Sequence, residues 1–163
     1  MSGDIAEARE FALEWHGPQM WGNVRYIVHL DAVANLFVSI GAPAWQIIAA
    51  YLHDIIEDPK CPKELIAARF GQLVFGWVWA VTGIGSNRKE CQQDIVRKLE
   101  ADTTGAALLK LADRLINVRK CVAEGDTKRL KMYRKELAVY DALFERANPV
   151  WNAELRLLLA TPA

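Results

Sequence analysis

Apolar residues recur at helical spacing along nearly the whole chain, and this pattern constrains the fold more than any other feature. Period-two alternation bounded by hairpin turns, which is typical of β-strands, is absent. Glycine and proline interrupt the helical pattern at Gly17, at Pro43 and at Pro149, where helices are expected to end or begin. The sequence therefore predicts an all-α protein in which short loops join the helices.

The length and charge of the chain limit the number of domains and the kinds of partner that we expect. The chain has 163 residues, of which 52% are hydrophobic, so residues 1–163 are expected to form a single domain with one core. Because 20 basic residues balance 20 acidic ones, nothing in the charge predicts nucleic acid or an anionic membrane as a partner. The uncharged stretch 35–52 is broken by Gly41 and Pro43, so we expect no transmembrane helix.

The cysteine residues indicate the redox state of the compartment. The three cysteines are an odd number, and no signal-peptide pattern precedes them, which favours a reducing compartment over a disulfide scaffold. We therefore expect a cytoplasmic protein.

Trp45, Trp77 and Trp151 have two interpretations. Each belongs either to the core or to an apolar surface through which the chain forms a homo-oligomer.

The segment 52–58 (LHDIIED) concentrates polar side chains directly after an apolar run. If one helix continues to Asp58-Pro59, His53 and Glu57 lie one turn apart, as do Asp54 and Asp58. An imidazole and three carboxylates then face one side. Buried carboxylates without cations are costly, so a metal ion is their natural partner. The alternative is a solvent-exposed acidic helix end.

Two other segments add candidate ligands. His29 lies in an apolar stretch, where a single histidine is either a hydrogen-bonded core residue or a ligand. Asp113 and Asn117 lie one turn apart on a helix predicted over about 104–123, where Asp113 has Arg114 and Lys110 as alternative partners. Two histidines and two carboxylates together suit Mn²⁺, Fe²⁺ or Zn²⁺ better than Ca²⁺. The set comprises His29, His53, Asp54 and Asp113.

The ordered H…HD…D pattern resembles the HD phosphohydrolase superfamily. Segments 49–58 (AAYLHDIIED), 70–71, 81–82 and 110–117 (KLADRLIN) look like the hydrolase domain of RelA/SpoT homologues, with similarity over about 8–120. Because no synthetase domain fits this length, the chain is most similar to small alarmone hydrolases such as the metazoan SpoT homologues. The resemblance implies a single-domain helical bundle that removes the 3′-pyrophosphate from (p)ppGpp- or (p)ppApp-type nucleotides of the stringent response.

The resemblance also implies roles for individual residues. One Mn²⁺, with Zn²⁺ and Fe²⁺ as alternatives, would be held by His29, His53, Asp54 and Asp113. Glu57 and Asp58 match the pair that orients and activates the attacking water in this family. The substrate contacts assigned by position are Asn117 (to the ribose), Trp21, Arg25, Lys110 and Tyr133. Because carboxylates alone would repel phosphate, cations are expected at the rim, and the candidates are Arg25, Arg88, Lys89, Lys110 and Arg119.

The chain departs from the family at one loop. Relatives carry an Arg-Lys pair about nine residues before the first histidine ligand, whereas this chain has Met20-Trp21. Trp21 either stacks on a purine, a contact worth ~1–3 kcal/mol in nucleic-acid systems, or packs in the core. Arg25 stands where relatives often have proline, and it is a candidate replacement for the lost cation. The sequence therefore leaves two alternatives for the base of the substrate nucleotide, guanine and adenine.

Two other functions are compatible with the same residues. One is an HD nucleotide phosphatase that acts on the 2′-phosphate of NADPH or on a deoxynucleotide, since the same metal set would serve it. The other is a non-catalytic module that only binds nucleotides. The intact ligand set and the Glu57-Asp58 pair favour catalysis on a small-molecule nucleotide.

Overall fold

The computed structural model describes residues 4–58 and 60–160, and helices make up nearly all of the regular structure in this part. The predicted all-α fold is confirmed. The elements in chain order are α1 Ile5–His16, β1 Met20–Trp21, β2 Val24–Arg25, α2 Ile27–Ser39, α3 Ala44–Leu52, α4 Lys63–Phe70, α5 Gln72–Val81, α6 Arg88–Ala101, α7 Ala107–Glu124, α8 Thr127–Ala147 and α9 Pro149–Ala160. In the described ranges, no helix is both long and apolar enough to cross a membrane.

A small β-hairpin interrupts the helices, and the sequence analysis missed it. Met20 pairs with Arg25 and Trp21 with Val24 in an antiparallel register. The turn begins at Gly22, whose φ of 65° is a conformation that favours glycine. Two-residue strands are too short for a period-two pattern, so the Gly-Asn pair at 22–23 was the only available signal.

Helix α7 lies at the centre of the molecule and packs against α2, α5, α8 and α9. Leu109, Leu111 and Leu115 on this helix are fully buried. Two of the three tryptophans with two interpretations belong to the core: Trp77 is 1% exposed and Trp151 is 7% exposed. Trp45 is only partly buried and packs against this core. The structure therefore selects core packing for Trp77 and Trp151.

Helix α3 ends at Leu52, so the prediction of one helix continuing through Asp58 is wrong. The His53 Nδ1 atom lies 2.8 Å from the carbonyl oxygen of Ala50, and the side chain thus competes for a backbone acceptor of the last helical turn. The backbone then continues in turns to residue 58. Pro59, the predicted end of that helix, lies outside the described residues.

Candidate metal and substrate site

Four side chains from distant parts of the sequence meet beside α7. His29 comes from α2, His53 and Asp54 from the turn after α3, and Asp113 from α7. One ligand atom of each lies within 4.8 Å of those of the other three. Asp54 Oδ2 is 3.0 Å from His53 Nε2, and Asp113 Oδ1 is 3.3 Å from His29 Nε2. Ligands ~2.1 Å from one ion are separated by ~3–3.6 Å at ordinary coordination angles, so this spacing fits a single divalent ion.

The chemistry of the donor atoms also fits a metal. A carbonyl oxygen can only accept, so His53 Nδ1 donates its hydrogen to Ala50 and Nε2 is the ring nitrogen that faces the cluster. Burial lowers the pKa of His53, but the charges of Asp54 and Asp113 outweigh it and raise that pKa well above its ordinary value. Burial raises the pKa of Asp54, but the attraction of His53 outweighs burial and lowers that pKa to about 2. A bound metal ion would displace the proton from His53 Nε2 and take over its role of balancing the two carboxylates.

Asp113 is oriented by two side chains, one of which is itself held by Trp21. Asn117 Nδ2 donates to Asp113 Oδ1 over 2.6 Å, and Lys110 Nζ lies 3.1 Å from Asp113 Oδ2. Trp21 Nε1 in turn donates to Asn117 Oδ1 over 3.0 Å, and the Trp21 ring centroid is 4.9 Å from that of His29. The hairpin residue Trp21 thus supports the ligand cluster from its outer side.

Tyr26 and Gln19 hold carboxylates of the site, and the sequence analysis assigned neither of them to it. The Tyr26 hydroxyl donates to Asp54 Oδ2, and Gln19 Nε2 donates to Asp58 Oδ2 over 2.7 Å. The ring of His16 stacks on Tyr26 with centroids 4.6 Å apart, and its Nδ1 lies 2.8 Å from Gln19 Oε1. Tyr26 precedes His29 by one helical turn, which was the only local signal for its role.

A cavity of about 430 Å³ opens beside the ligand cluster. Carboxylates of the cluster and of Glu57 and Asp58 line it together with the cations Arg88, Lys110 and Arg114. Negative and positive groups therefore share one cavity, an arrangement that suits a metal ion together with an anionic ligand.

Arg114 is a cavity residue that the sequence analysis treated only as a partner for Asp113. Its side chain is 3% exposed, and its Nη2 lies 2.8 Å from Glu136 Oε2. Its Nη1 is buried and has no hydrogen-bond partner in the described part of the chain. The guanidinium also lies 4.6 Å from the centroid of the Tyr133 ring. A buried guanidinium with an unsatisfied nitrogen at a cavity wall suits an anionic ligand.

Glu57 occupies the cavity wall in a defined position. The Gly83 backbone N–H donates to Glu57 Oε1. Burial, followed by the negative charge of Asp54, raises the pKa of Glu57, although Lys110 opposes the shift. A carboxylate with a raised pKa is a better proton acceptor near neutral pH than an ordinary one.

Comparison with known protein families identifies the fold. The HD domain family matches residues 8–151 of this chain. The chain belongs to the HD domain family. A solved structure described as a metazoan ortholog of SpoT has a TM-score of 0.82 with this HD domain at 23% identity, covering 97% of this chain and 94% of that one. The predicted helical bundle of the HD superfamily is therefore confirmed.

Curated relatives are also similar in sequence. The guanosine-3′,5′-bis(diphosphate) 3′-pyrophosphohydrolase of Aquifex aeolicus is 36% identical over 94% of this chain and 23% of its own length. The corresponding enzyme of Vibrio cholerae is 34% identical over 74% of this chain and 18% of its own. This HD domain thus spans about a fifth of the length of these relatives. The predicted resemblance to SpoT-like hydrolases is confirmed.

The HD domain brings together only part of the predicted substrate-contact set. Lys110, Asn117 and Tyr133 line the cavity, whereas Trp21 and Arg25 are not among its described lining residues. The Arg25 guanidinium donates instead to the carbonyl oxygen of Gly17 over 2.7 Å. The cations predicted at the rim also divide into residues that line the cavity and residues that do not. Arg88 lines the cavity, Arg119 pairs with Glu154, and Lys89 lines a different groove.

Proposed function

We propose that this HD domain is a metal-dependent hydrolase that removes the 3′-pyrophosphate from (p)ppGpp- or (p)ppApp-type nucleotides. The observation that carries the proposal is the cavity that Asp54 and Asp113, the carboxylates of the two-histidine, two-carboxylate cluster, line together with three cations. Such a cavity can hold a metal and a phosphorylated substrate at the same time. The names of the relatives that match most of this chain support the 3′-pyrophosphate as the group removed.

The metal site follows from the donor set. His29, His53, Asp54 and Asp113 would hold the ion, and mixed imidazole and carboxylate ligands favour Mn²⁺, with Zn²⁺ and Fe²⁺ as the alternatives. When bound, such an ion polarises phosphate oxygens and lowers the pKa of water.

Protein side chains supply proton transfer, orientation of the attacking water and neutralisation of the phosphate charge. Glu57 accepts a proton from the attacking water, whose oxygen bonds to the phosphorus atom attached to O3′. The bond between that phosphorus and O3′ breaks, pyrophosphate departs with the water oxygen, and the proton on Glu57 passes to O3′ to give the 3′-hydroxyl group. Asp58, held by Gln19, orients that water. Arg114 and Lys110 neutralise the pyrophosphate oxygens, which the surrounding carboxylates would otherwise repel.

The nucleoside is proposed to lie on the side of the cavity formed by Asn117 and Tyr133. Trp21 keeps two candidate roles, a stacking platform for the base and a support for Asn117. The second role rests on its hydrogen bond to the Asn117 side chain. Because Met20-Trp21 replaces the Arg-Lys pair of relatives, both guanine and adenine substrates belong to the proposal.

The proposed setting is a reducing compartment, the cytoplasm. Cys61, Cys91 and Cys121 are all free thiols, and Cys61 and Cys121 are buried. A single domain over 1–163 and the formation of homo-oligomers stay predictions.

Product analysis tests the proposal directly. The Mn²⁺-loaded protein is incubated with ppGpp, pppGpp, ppApp or NADPH beside an Asp54→Ala control, and the products are separated by chromatography. We expect release of pyrophosphate from at least one 3′-pyrophosphorylated nucleotide, with none in the control. Loss of only the 2′-phosphate from NADPH would contradict the proposal and identify a nucleotide phosphatase. Nucleotide binding without turnover would contradict it too and identify a non-catalytic binding module.

Gly83→Ala is expected to displace Glu57 and reduce kcat by about 10- to 100-fold, because small displacements of catalytic groups are costly. A Cβ atom at Gly83 would lie 2.8 Å from Cys91 Cβ and 3.1 Å from Glu57 Oε1. The control is Gly76→Ala in α5, where a Cβ atom meets nothing within 4 Å. That change should leave kcat unaltered and raise the free energy of unfolding by about 0.5–1 kcal/mol. Equal kcat in the two variants would contradict the positioning role of Gly83.

A further inference from the structure

A second concavity lies between α6 and α8, next to the cavity of the metal cluster. We call it the α6–α8 groove; it measures about 880 Å³ and shares Arg88 and Gln92 with that cavity. Its apolar lining comes from Val96, Met132 and Val139, of which Val139 is 55% exposed. Neither the metal cluster nor the proposed reaction uses these three side chains.

The rim of the α6–α8 groove is strongly basic, although the whole chain has no net charge. Its cations beyond Arg88 are Lys89 and Arg97 on α6 and Lys128, Lys131 and Lys135 on α8. Glu100 and Glu136 are the acidic residues among its described lining, and Glu136 is already paired with Arg88 and Arg114. The groove therefore carries an excess of positive charge.

Most of these rim cations have no acidic partner among the described residues. Within 4–58 and 60–160, no carboxylate oxygen lies within ion-pair distance of Lys89, Lys128, Lys131 or Lys135. By contrast, Arg69 and Arg119 on other surfaces each pair with a glutamate within 2.8 Å.

The lysines on α8 are spaced so that their charges lie close together. Lys128, Lys131 and Lys135 are separated by three and four residues, so they form one stripe of like charges along the helix. Like charges at this spacing repel one another and destabilise the helix. A negatively charged ligand in the groove would remove that repulsion.

We propose that the α6–α8 groove binds an acidic amphipathic helix of a partner protein. The apolar floor would receive the apolar face of that helix, and the lysines on either side would pair with its flanking carboxylates. Helix α6 has 14 residues and is about 21 Å long, which is enough to flank several turns of a bound helix. The groove adjoins the cavity of the metal cluster through Arg88 and Gln92, but the proposal of a bound helix does not depend on the catalytic activity.

The lining favours a peptide over a single-stranded nucleic acid. Nucleic-acid grooves combine cations with aromatic rings on which bases stack. No aromatic ring is found among the described residues that line the α6–α8 groove. Its floor is aliphatic and includes a methionine, whose flexible side chain adapts to apolar partners.

Fluorescence anisotropy with a labelled peptide tests the proposal. The probe is a helical peptide of about 18 residues with leucine on one face and glutamate on the other, roughly 27 Å long. We expect saturable binding to the full chain that weakens as salt is added. The double variant Lys128→Glu/Lys135→Glu should weaken binding by about tenfold or more.

Matched controls separate helix docking from general charge attraction. Lys60→Glu/Arg146→Glu makes the same change in net charge at exposed positions outside the groove, and it should change peptide affinity less than about twofold. Val139→Ser should weaken peptide binding while leaving nucleotide hydrolysis intact. Equal binding of a peptide with the same composition but a scrambled order would overturn the proposal. Tighter binding of a single-stranded oligonucleotide, or no saturable peptide binding, would also overturn it.

Discussion

The Asp54→Asn variant is expected to lose on the order of 100-fold or more in Mn²⁺ affinity, and with it the hydrolase activity. Asp54 Oδ2 lies among the ligand atoms, 3.0 Å from His53 Nε2 and 3.8 Å from His29 Nε2. Asparagine has nearly the same shape but no charge, so the buried cluster would lose one of its two anionic ligands. A competition titration against a fluorescent chelator measures metal affinity independently of turnover.

The matched control removes a carboxylate far from the cluster. Asp141→Asn lies on α8, where Asp141 pairs with Arg156 at 2.8 Å. Its Mn²⁺ affinity should stay within about twofold of the parent, because exposed charges at that distance are screened. An unchanged metal affinity in Asp54→Asn would refute the assignment of His29, His53, Asp54 and Asp113 as the ligand set.

The Glu57→Gln variant is expected to reduce kcat by about 10²–10⁴-fold, the usual contribution of a general base, while Mn²⁺ affinity stays nearly constant. The glutamine carbonyl can still accept the Gly83 N–H, so the side chain keeps its position but loses the ability to take a proton. Single-turnover kinetics at saturating substrate measures the chemical step directly.

A pH profile distinguishes proton transfer from a loss of positioning. Burial and the charge of Asp54 raise the pKa of Glu57, so a proton remains on this carboxyl at pH values where a glutamate with an ordinary pKa is ionised. The activity of the parent should therefore fall as the pH decreases through this raised pKa, and Glu57→Gln should lose that limb. Glu64→Gln on α4 is the control and should keep the parent profile. If Glu57→Gln retains the acid limb, another group is the base.

The sequence determined the helical class through its apolar periodicity, and the ordered H…HD…D pattern with its family resemblance predicted the candidate metal ligands. Apolar periodicity predicted a helix over about 104–123, and the structure places α7 at Ala107–Glu124. The ordered H…HD…D pattern identified His29, His53, Asp54 and Asp113, and the structure brings their ligand atoms within 4.8 Å of one another. A metal site constrains residue type strongly, so a few positions are sufficient to predict it.

Only the tertiary structure decided how the site is supported, because its supporting contacts join residues far apart in the chain. Trp21 reaches Asn117 across 96 residues, and Gln19 reaches Asp58 across 39. The side-chain contact of His53 with Ala50 accompanies the end of α3, which helical periodicity extended to Asp58. Arg114 looked like a local partner of Asp113, yet the fold pairs it with Glu136 on α8 and leaves one of its nitrogens unsatisfied. Hydrogen bonds between distant elements leave no periodic trace in a sequence, so their partners appear only once the helices have packed.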